Sequence, residues 1–253
     1  MNNLLEQWPT FAPINIIFDR ERLKKEILNS KILDKGKIAT SHRSNNKNFW
    51  DNGINFKSSQ FNKLNDVPLW SDETKTDIVK KDINTFYQVA ITTYNESLVT
   101  DSWEGNHQDK SKIPFWIKND FSWEFRNDVE LPYLKEVIDS LGLEYFSMIR
   151  IVYQRPPSIG LIHKDSGPKT NLEYYNKGGV GITLNVSSGG ANLYFLDKNN
   201  NECLIDEDKV YAWHFDDSAL HCTNEVLSDR IQIRIYGNHV DYKTLIDLDK
   251  AIY

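Results

Sequence analysis

Cysteine is almost absent: Cys203 and Cys222 are the only two in 253 residues. Two thiols make no disulfide framework, so a reducing, cytoplasmic setting is expected. No run approaches the roughly 18 apolar residues that a membrane span requires. The opening Met1-Asn2-Asn3-Leu4-Leu5-Glu6-Gln7-Trp8-Pro9 has no basic start and no apolar stretch, so no signal peptide is predicted. An excess of positive charge is missing too. Thirty Lys and Arg against 36 Asp and Glu give a net charge of −6, which argues against nucleic acid as a partner. Internal repeats, heptads and an obvious linker are also lacking, so residues 1–253 are expected to form a single domain. Within it, 1–144 reads as helical and loop-rich, 145–237 as the β core and 238–253 as a C-terminal extension.

The chain does have two kinds of local pattern. In the first half, Ile14–Phe18 is a candidate strand. Asp19 suits a helix cap, with Leu23, Ile27 and Leu28 on one face of a helix to about Asn29. Ser71 is a second candidate cap, and Val79, Ile83, Phe86, Ala90 and Tyr94 predict a helix to about Leu98. Pro132 opens a short helix carrying Leu134, Val137, Ile138 and Leu141, and Gly142 ends it. Residues 40–66 and 100–120 read as long loops with aromatic anchors.

From Tyr145 onward the pattern changes to short strands: Tyr145–Tyr153, Ser158–His163, Val180–Ser187, Ala191–Leu196, Lys209–Phe215, Leu220–Asn224 and Arg230–Tyr236. Polar turns such as Ser187-Ser188-Gly189-Gly190 and Asp197–Asn201 separate them. Regular short strands predict a sandwich or barrel, with the preceding helices bracing one face. The fold class is therefore α+β, mainly β.

Against that background one constellation carries chemistry. His163 and Asp165 are two residues apart, and residues i and i+2 of an extended segment point the same way. A third ligand, His221, follows from another strand. Two imidazoles and a carboxylate hold ferrous iron and leave positions open for reactants. Arg230 opens the last strand, where Arg230, Gln232, Arg234 and Tyr236 share one parity and Ile231, Ile233 and Ile235 the other. Arginines inside a barrel are costly unless they meet anions. A single arginine after the distal histidine suits the far carboxylate of a dicarboxylate co-substrate.

Together these residues resemble the Fe(II)/2-oxoglutarate-dependent oxygenases, near their prolyl-hydroxylase-like and aspartyl/asparaginyl β-hydroxylase-like branches. The resemblance covers about residues 145–237: His163-Lys164-Asp165, distal His221, a basic Arg230 nine positions on, Tyr153 ten before the first histidine, and Ile182–Phe195 with its paired glycines. Thr183 departs from the pattern, standing where an aromatic tyrosine is frequent. The resemblance implies a double-stranded β-helix of the jelly-roll or cupin-like kind. It implies iron held by His163, Asp165 and His221, and 2-oxoglutarate and O2 as co-substrates. The far carboxylate of 2-oxoglutarate would pair with Arg230, helped by Thr183 or Tyr153. An intact carboxylate at Asp165 favours hydroxylation over halogenation.

The expected activity is hydroxylation of an unactivated C–H bond in a small molecule, such as an amino acid, with release of succinate and CO2. The alternatives are a hydroxylase of peptide residues, a non-catalytic iron and 2-oxoglutarate sensor, and a zinc or cupin-like isomerase, against which Arg230 speaks. Arg234, Arg150 and Trp213 are candidate substrate contacts. His214 has a pocket-lining reading beside a structural one. His42 and His107 have no ligand partners at motif spacing, and Cys222 is expected to be packed and inert.

Overall fold

The computed structural model describes residues 8–35, 37–40, 85–94, 123–156, 158, 160–163, 165, 174–176 and 178–253. The loop expectations for 41–66 and 100–120, the start of the helix expected from Ser71, and His42 and His107 lie outside the described residues.

In chain order the elements are β1 (Phe11–Pro13), α1 (Arg20–Asn29), β2 (Lys37–Thr40), β3 (Thr85–Ala90), β4 (Thr92–Tyr94), β5 (Trp123–Phe125), α2 (Pro132–Asp139), β6 (Tyr145–Gln154) and β7 (Gly160–His163). They continue as β8 (Gly179–Ser187), β9 (Asn192–Leu196), β10 (Glu202–Asp206), β11 (Ala212–Phe215), β12 (His221–Thr223) and β13 (Arg230–Asn238). A seven-stranded sheet has the order β1-β11-β8-β13-β6-β3-β2, and a four-stranded sheet the order β10-β9-β12-β7. All pairings in both are antiparallel. The fold is thus mostly β, in the manner of a β-sandwich. From β6 to β13 the chain passes repeatedly between the two sheets, and only the β9–β10 hairpin stays in one.

Alternation along the strands sorts side chains into two layers. Ile149 and Ile151 of β6, Ile182 and Leu184 of β8, and Ile231, Ile233 and Ile235 of β13 are buried against Leu23 and Ile27 of α1 and Leu134, Val137 and Ile138 of α2. Each such side chain contributes roughly 1.5–3 kcal/mol. Between the sheets a smaller cluster forms from Phe11, Leu193, Phe195, Trp213 and Phe215.

The helices begin where their caps stand. The Asp19 carboxylate accepts from the Arg22 N–H at 2.9 Å. Leu28 is exposed instead of sharing the buried face with Leu23 and Ile27. α2 has Pro132 in its first turn and no side-chain cap of its own. Glu26 of α1 supplies one from outside, accepting from the N–H groups of Tyr133 at 2.7 Å and Leu134 at 2.9 Å. A carboxylate there satisfies orphan donors and complements the helix dipole. Gly142, at φ 65°, follows α2 in the left-handed conformation that glycine adopts without strain.

Three expectations are corrected. Within the helix expected over 71–98, the described residues 85–94 form β3 and β4. A spacing of four residues is a multiple of two, so Phe86, Ala90 and Tyr94 also suit one face of a strand. The β-branched and aromatic run Thr85–Val89 then pairs with β6 on one side and β2 on the other. The early strand is Phe11–Pro13, not Ile14–Phe18. Ile14 makes only an isolated bridge to Ile246, and Ile17 is 95% exposed. Among the described residues of the first 144, β1, β2 and β3 extend the large sheet, where helix and loop were expected. Among the described residues no helix is long and apolar enough to cross a membrane.

Candidate metal centre

β12 lies between β9 and β7, and its register sets His221 opposite His163 of β7. Two residues past His163, Asp165 is tied back by its N–H to the Asp217 carbonyl at 2.9 Å. That bond joins the segment after β7 to the loop leading into β12. It brings the Asp165 Oδ2 to 3.9 Å from the His221 Nε2. Two ligand atoms bound to one ion at about 2.1 Å each can stand no more than about 4.2 Å apart, so this gap admits an ion between them. Among the described residues no group of three metal-binding side chains is present, and Asp165 and His221 are the pair that is seen.

The donor chemistry of the pair fits a metal. The His221 Nδ1 donates to the Ala219 carbonyl at 2.9 Å. A carbonyl only accepts, so the proton of a neutral His221 sits on Nδ1 and the Nε2 lone pair faces Asp165. The ring is held from the side by Phe215, edge to face at 5.0 Å. His221 is buried, while the Asp165 side chain keeps 34% of its surface exposed.

The inner face of the large sheet supplies the polar surroundings. Arg234 lies directly opposite Thr183 of β8 and Arg150 of β6. Arg150 donates to the Gln88 Oε1 at 2.8 Å. Next along β13, burial pushes the Tyr236 phenol's pKa up; Arg150 and Arg234 draw it down, and Asp217 and Asp165 push it up. The register places this end of β13 beside the candidate metal position: His214 pairs with Ile182 and Tyr236 with Gly181, so Phe215, whose ring packs on His221, stands level with Tyr236 across β8.

Arg230 occupies the other end, and its surroundings differ from the expectation. It is buried on the inner face, but the anion it meets belongs to the chain itself. Its Nε and Nη2 donate to the two carboxylate oxygens of Glu207 at 2.9 and 2.6 Å. Its Nη1 donates to Gln154, and Gln232 donates to the same Glu207 at 3.2 Å. Glu207 is fully buried in a short 3-10 turn between β10 and β11. In the sequence it stands in Asp206-Glu207-Asp208-Lys209, which reads as a solvated turn. The argument that a buried arginine needs an anion did foretell a partner, but no local signal says which.

Two further site residues are relocated. Tyr153 has the parity of Ile151, not of Arg150, and is buried in the helix-facing core, where its hydroxyl accepts from the Arg155 Nε at 3.0 Å. It therefore stands away from the face that carries Thr183 and Arg234. Trp213 is buried in the cluster between the sheets, 6.3 Å from the Phe11 ring, and offers no surface to a substrate. His214, of opposite parity, is buried with Trp8, Tyr175 and Tyr242, its Nδ1 2.9 Å from the Tyr242 hydroxyl. Cys222 is buried, and burial pushes its thiol pKa well up.

No family model matches this chain. No curated protein matches it either. Among solved structures it is similar to a prolyl-4-hydroxylase of Pseudomonas putida, at 10% identity over 93% of this chain and 97% of that one, with a TM-score of 0.41. It is similar to a prolyl hydroxylase of Trichoplax adhaerens in complex with a hypoxia inducible factor peptide, at 11% identity over 89% and 93%, with a TM-score of 0.36. A 2OG-Fe(II) oxygenase family oxidoreductase of Burkholderia pseudomallei matches at 11% identity over 79% and 96%, with a TM-score of 0.36.

Proposed function

We propose that this chain is an Fe(II)- and 2-oxoglutarate-dependent oxygenase that hydroxylates an unactivated C–H bond of a small, acid-bearing metabolite such as an amino acid. On this reading β6–β13 form a double-stranded β-helix within a single domain, and His163, Asp165 and His221 hold the iron. The observation that carries it is the approach of Asp165 and His221 to 3.9 Å, with the Nε2 lone pair turned inward and His163 opposite in register. Held there with 2-oxoglutarate, ferrous iron would activate O2, which is the oxidant for both the co-substrate and the C–H bond, with release of succinate and CO2.

The chain's own part is binding and orientation. The Ala219 carbonyl fixes the His221 tautomer, and Phe215 fixes the ring. The backbone tie from the Asp165 N–H to the Asp217 carbonyl holds the segment bearing Asp165 against the loop that leads to His221. The inner face of the large sheet offers hydroxyl, amide and guanidinium donors for carboxylates, beside a metal position that is apolar on its Phe215 side.

The test is anaerobic addition of Fe(II) and 2-oxoglutarate to metal-free protein. A weak visible charge-transfer band is expected, followed in air by succinate release that one metabolite stimulates. Absence of the band removes the reading. Stimulation by peptides alone, with no response to free metabolites, replaces the small-molecule substrate with a protein residue.

A further inference from the structure

We propose that the far carboxylate of the 2-oxoacid is received by Arg234, backed across the strand pair by Arg150, and that Glu207 withdraws Arg230 from ligand binding. This rests on the reading above that a 2-oxoacid binds beside the metal.

Arg230 is satisfied on all three nitrogens by Glu207 and Gln154. Its two-point fork with Glu207 is the geometry that a ligand carboxylate would need. A ligand would therefore have to displace Glu207, and the turn bearing it is held from three sides. The Asn185 Nδ2 donates to the Glu207 carbonyl at 2.5 Å, Ser188 donates to Asp208 at 2.5 Å, and Arg20 donates to the Asp208 and Val210 carbonyls. Separating a buried ion pair costs on the order of 100- to 4,000-fold in affinity, which a ligand using Arg230 would forfeit.

Arg234 is in the opposite situation. It is half-buried, and among the described residues it has no hydrogen-bond or ion-pair partner. Across the β13–β6 pair it directly faces Arg150, and directly opposed like charges repel. A carboxylate between two guanidinium groups reverses that sign and takes several charge-assisted hydrogen bonds. Thr183, buried and opposite Arg234 on the other side, adds a hydroxyl. Tyr236 stands two residues further along the same face, level across β8 with Phe215, whose ring packs on His221. A short dicarboxylate reaching from the metal thus meets Arg234 before it meets Arg230, which lies about 13 Å further along β13.

The test is calorimetric titration of Mn(II)-loaded protein with 2-oxoglutarate and, in parallel, with succinate, which lacks the chelating keto acid. For 2-oxoglutarate, Arg234→Met is expected to raise Kd about 100-fold and Arg150→Met about tenfold. The double change Glu207→Gln with Arg230→Met, which removes both charges of the buried pair together, is expected to move Kd less than about threefold. Loss of binding in the double variant with retention in Arg234→Met overturns the proposal and leaves the oxygenase reading standing. If the double variant does not fold, an unchanged Kd in Arg234→Met overturns it alone. If wild type binds succinate through Arg234 but gains nothing from the keto acid group, the acid clamp stands and the oxygenase reading fails. If wild type binds neither acid, both fall.

Discussion

Arg230 and Arg234 leave the same strand on the same face, four residues apart, and their surroundings could hardly differ more. At the Arg230 end every guanidinium nitrogen has a partner within the chain, and the partner carboxylate is sealed from water. At the Arg234 end two arginines stand opposite each other, two residues from Tyr236, which is level across β8 with Phe215, the residue packed on His221. A saturated polar network rigidifies a fold, whereas two like charges set opposite each other favour an anion between them. Arg230 has the expected spacing after His221, yet the carboxylate it meets is that of Glu207.

The contrast can be broken or sharpened by experiment. The largest effect belongs to the metal end: Asp165→Ala is expected to abolish succinate formation and to lower metal affinity by more than the roughly 100-fold typical of outer partners. Because Asp165 is exposed, urea unfolding of that variant is expected to stay within about 0.5 kcal/mol of wild type. At the closed end the order inverts. Glu207→Ala strands a buried guanidinium and is expected to cost about 3–5 kcal/mol in urea unfolding, while Glu207→Leu combined with Arg230→Met recovers most of it. On the helix-facing side of the same strand, Ile233→Ala is expected to cost about 3 kcal/mol, with little change in 2-oxoglutarate affinity.

A smaller, pH-dependent effect comes from His214, whose pKa burial pushes down from 6.5 to about 4. Its folded form stays neutral while the unfolded chain takes up a proton. Stability is therefore full above pH 6.5 and falls as pH drops toward 4, by about 3 kcal/mol in all. Unfolding measured across that range in wild type and His214→Gln checks the slope, which the variant is expected to lose. Smallest of all, Arg234→Met is expected to leave stability within about 0.5 kcal/mol. A large loss there would mean that Arg234 is a structural ion like Arg230.

Much of this was legible in the sequence where one element decides the matter alone. The Asp19 cap, the Pro132 start, the turn at Gly142 and the two faces of Arg230–Tyr236 are local statements, and the structure has them. The approach of Asp165 to His221 was accessible because order and spacing carried it. What escaped needed a second element. Residues 85–94 satisfy helix and strand spacing alike until β6 and β2 lie beside them. Tyr153 keeps its place in the spacing, yet one residue of parity puts it on the helix side. β10 was not predicted at all: Glu202–Asp206 is half-exposed, polar at both ends, and paired only to β9. Glu207 lies 23 positions from Arg230 in the chain, and only the passage from β10 to β11 brings it inside.

The Glu207–Arg230 lock also carries a consequence for heredity. Since losing either partner strands the other, the two codons are coupled: a lineage keeps both, or exchanges both for an apolar couple of similar bulk. A cousin that retains the guanidinium but has a small neutral residue at the glutamate's place would have reopened the far end of its barrel, and its appetite for organic acids should differ accordingly.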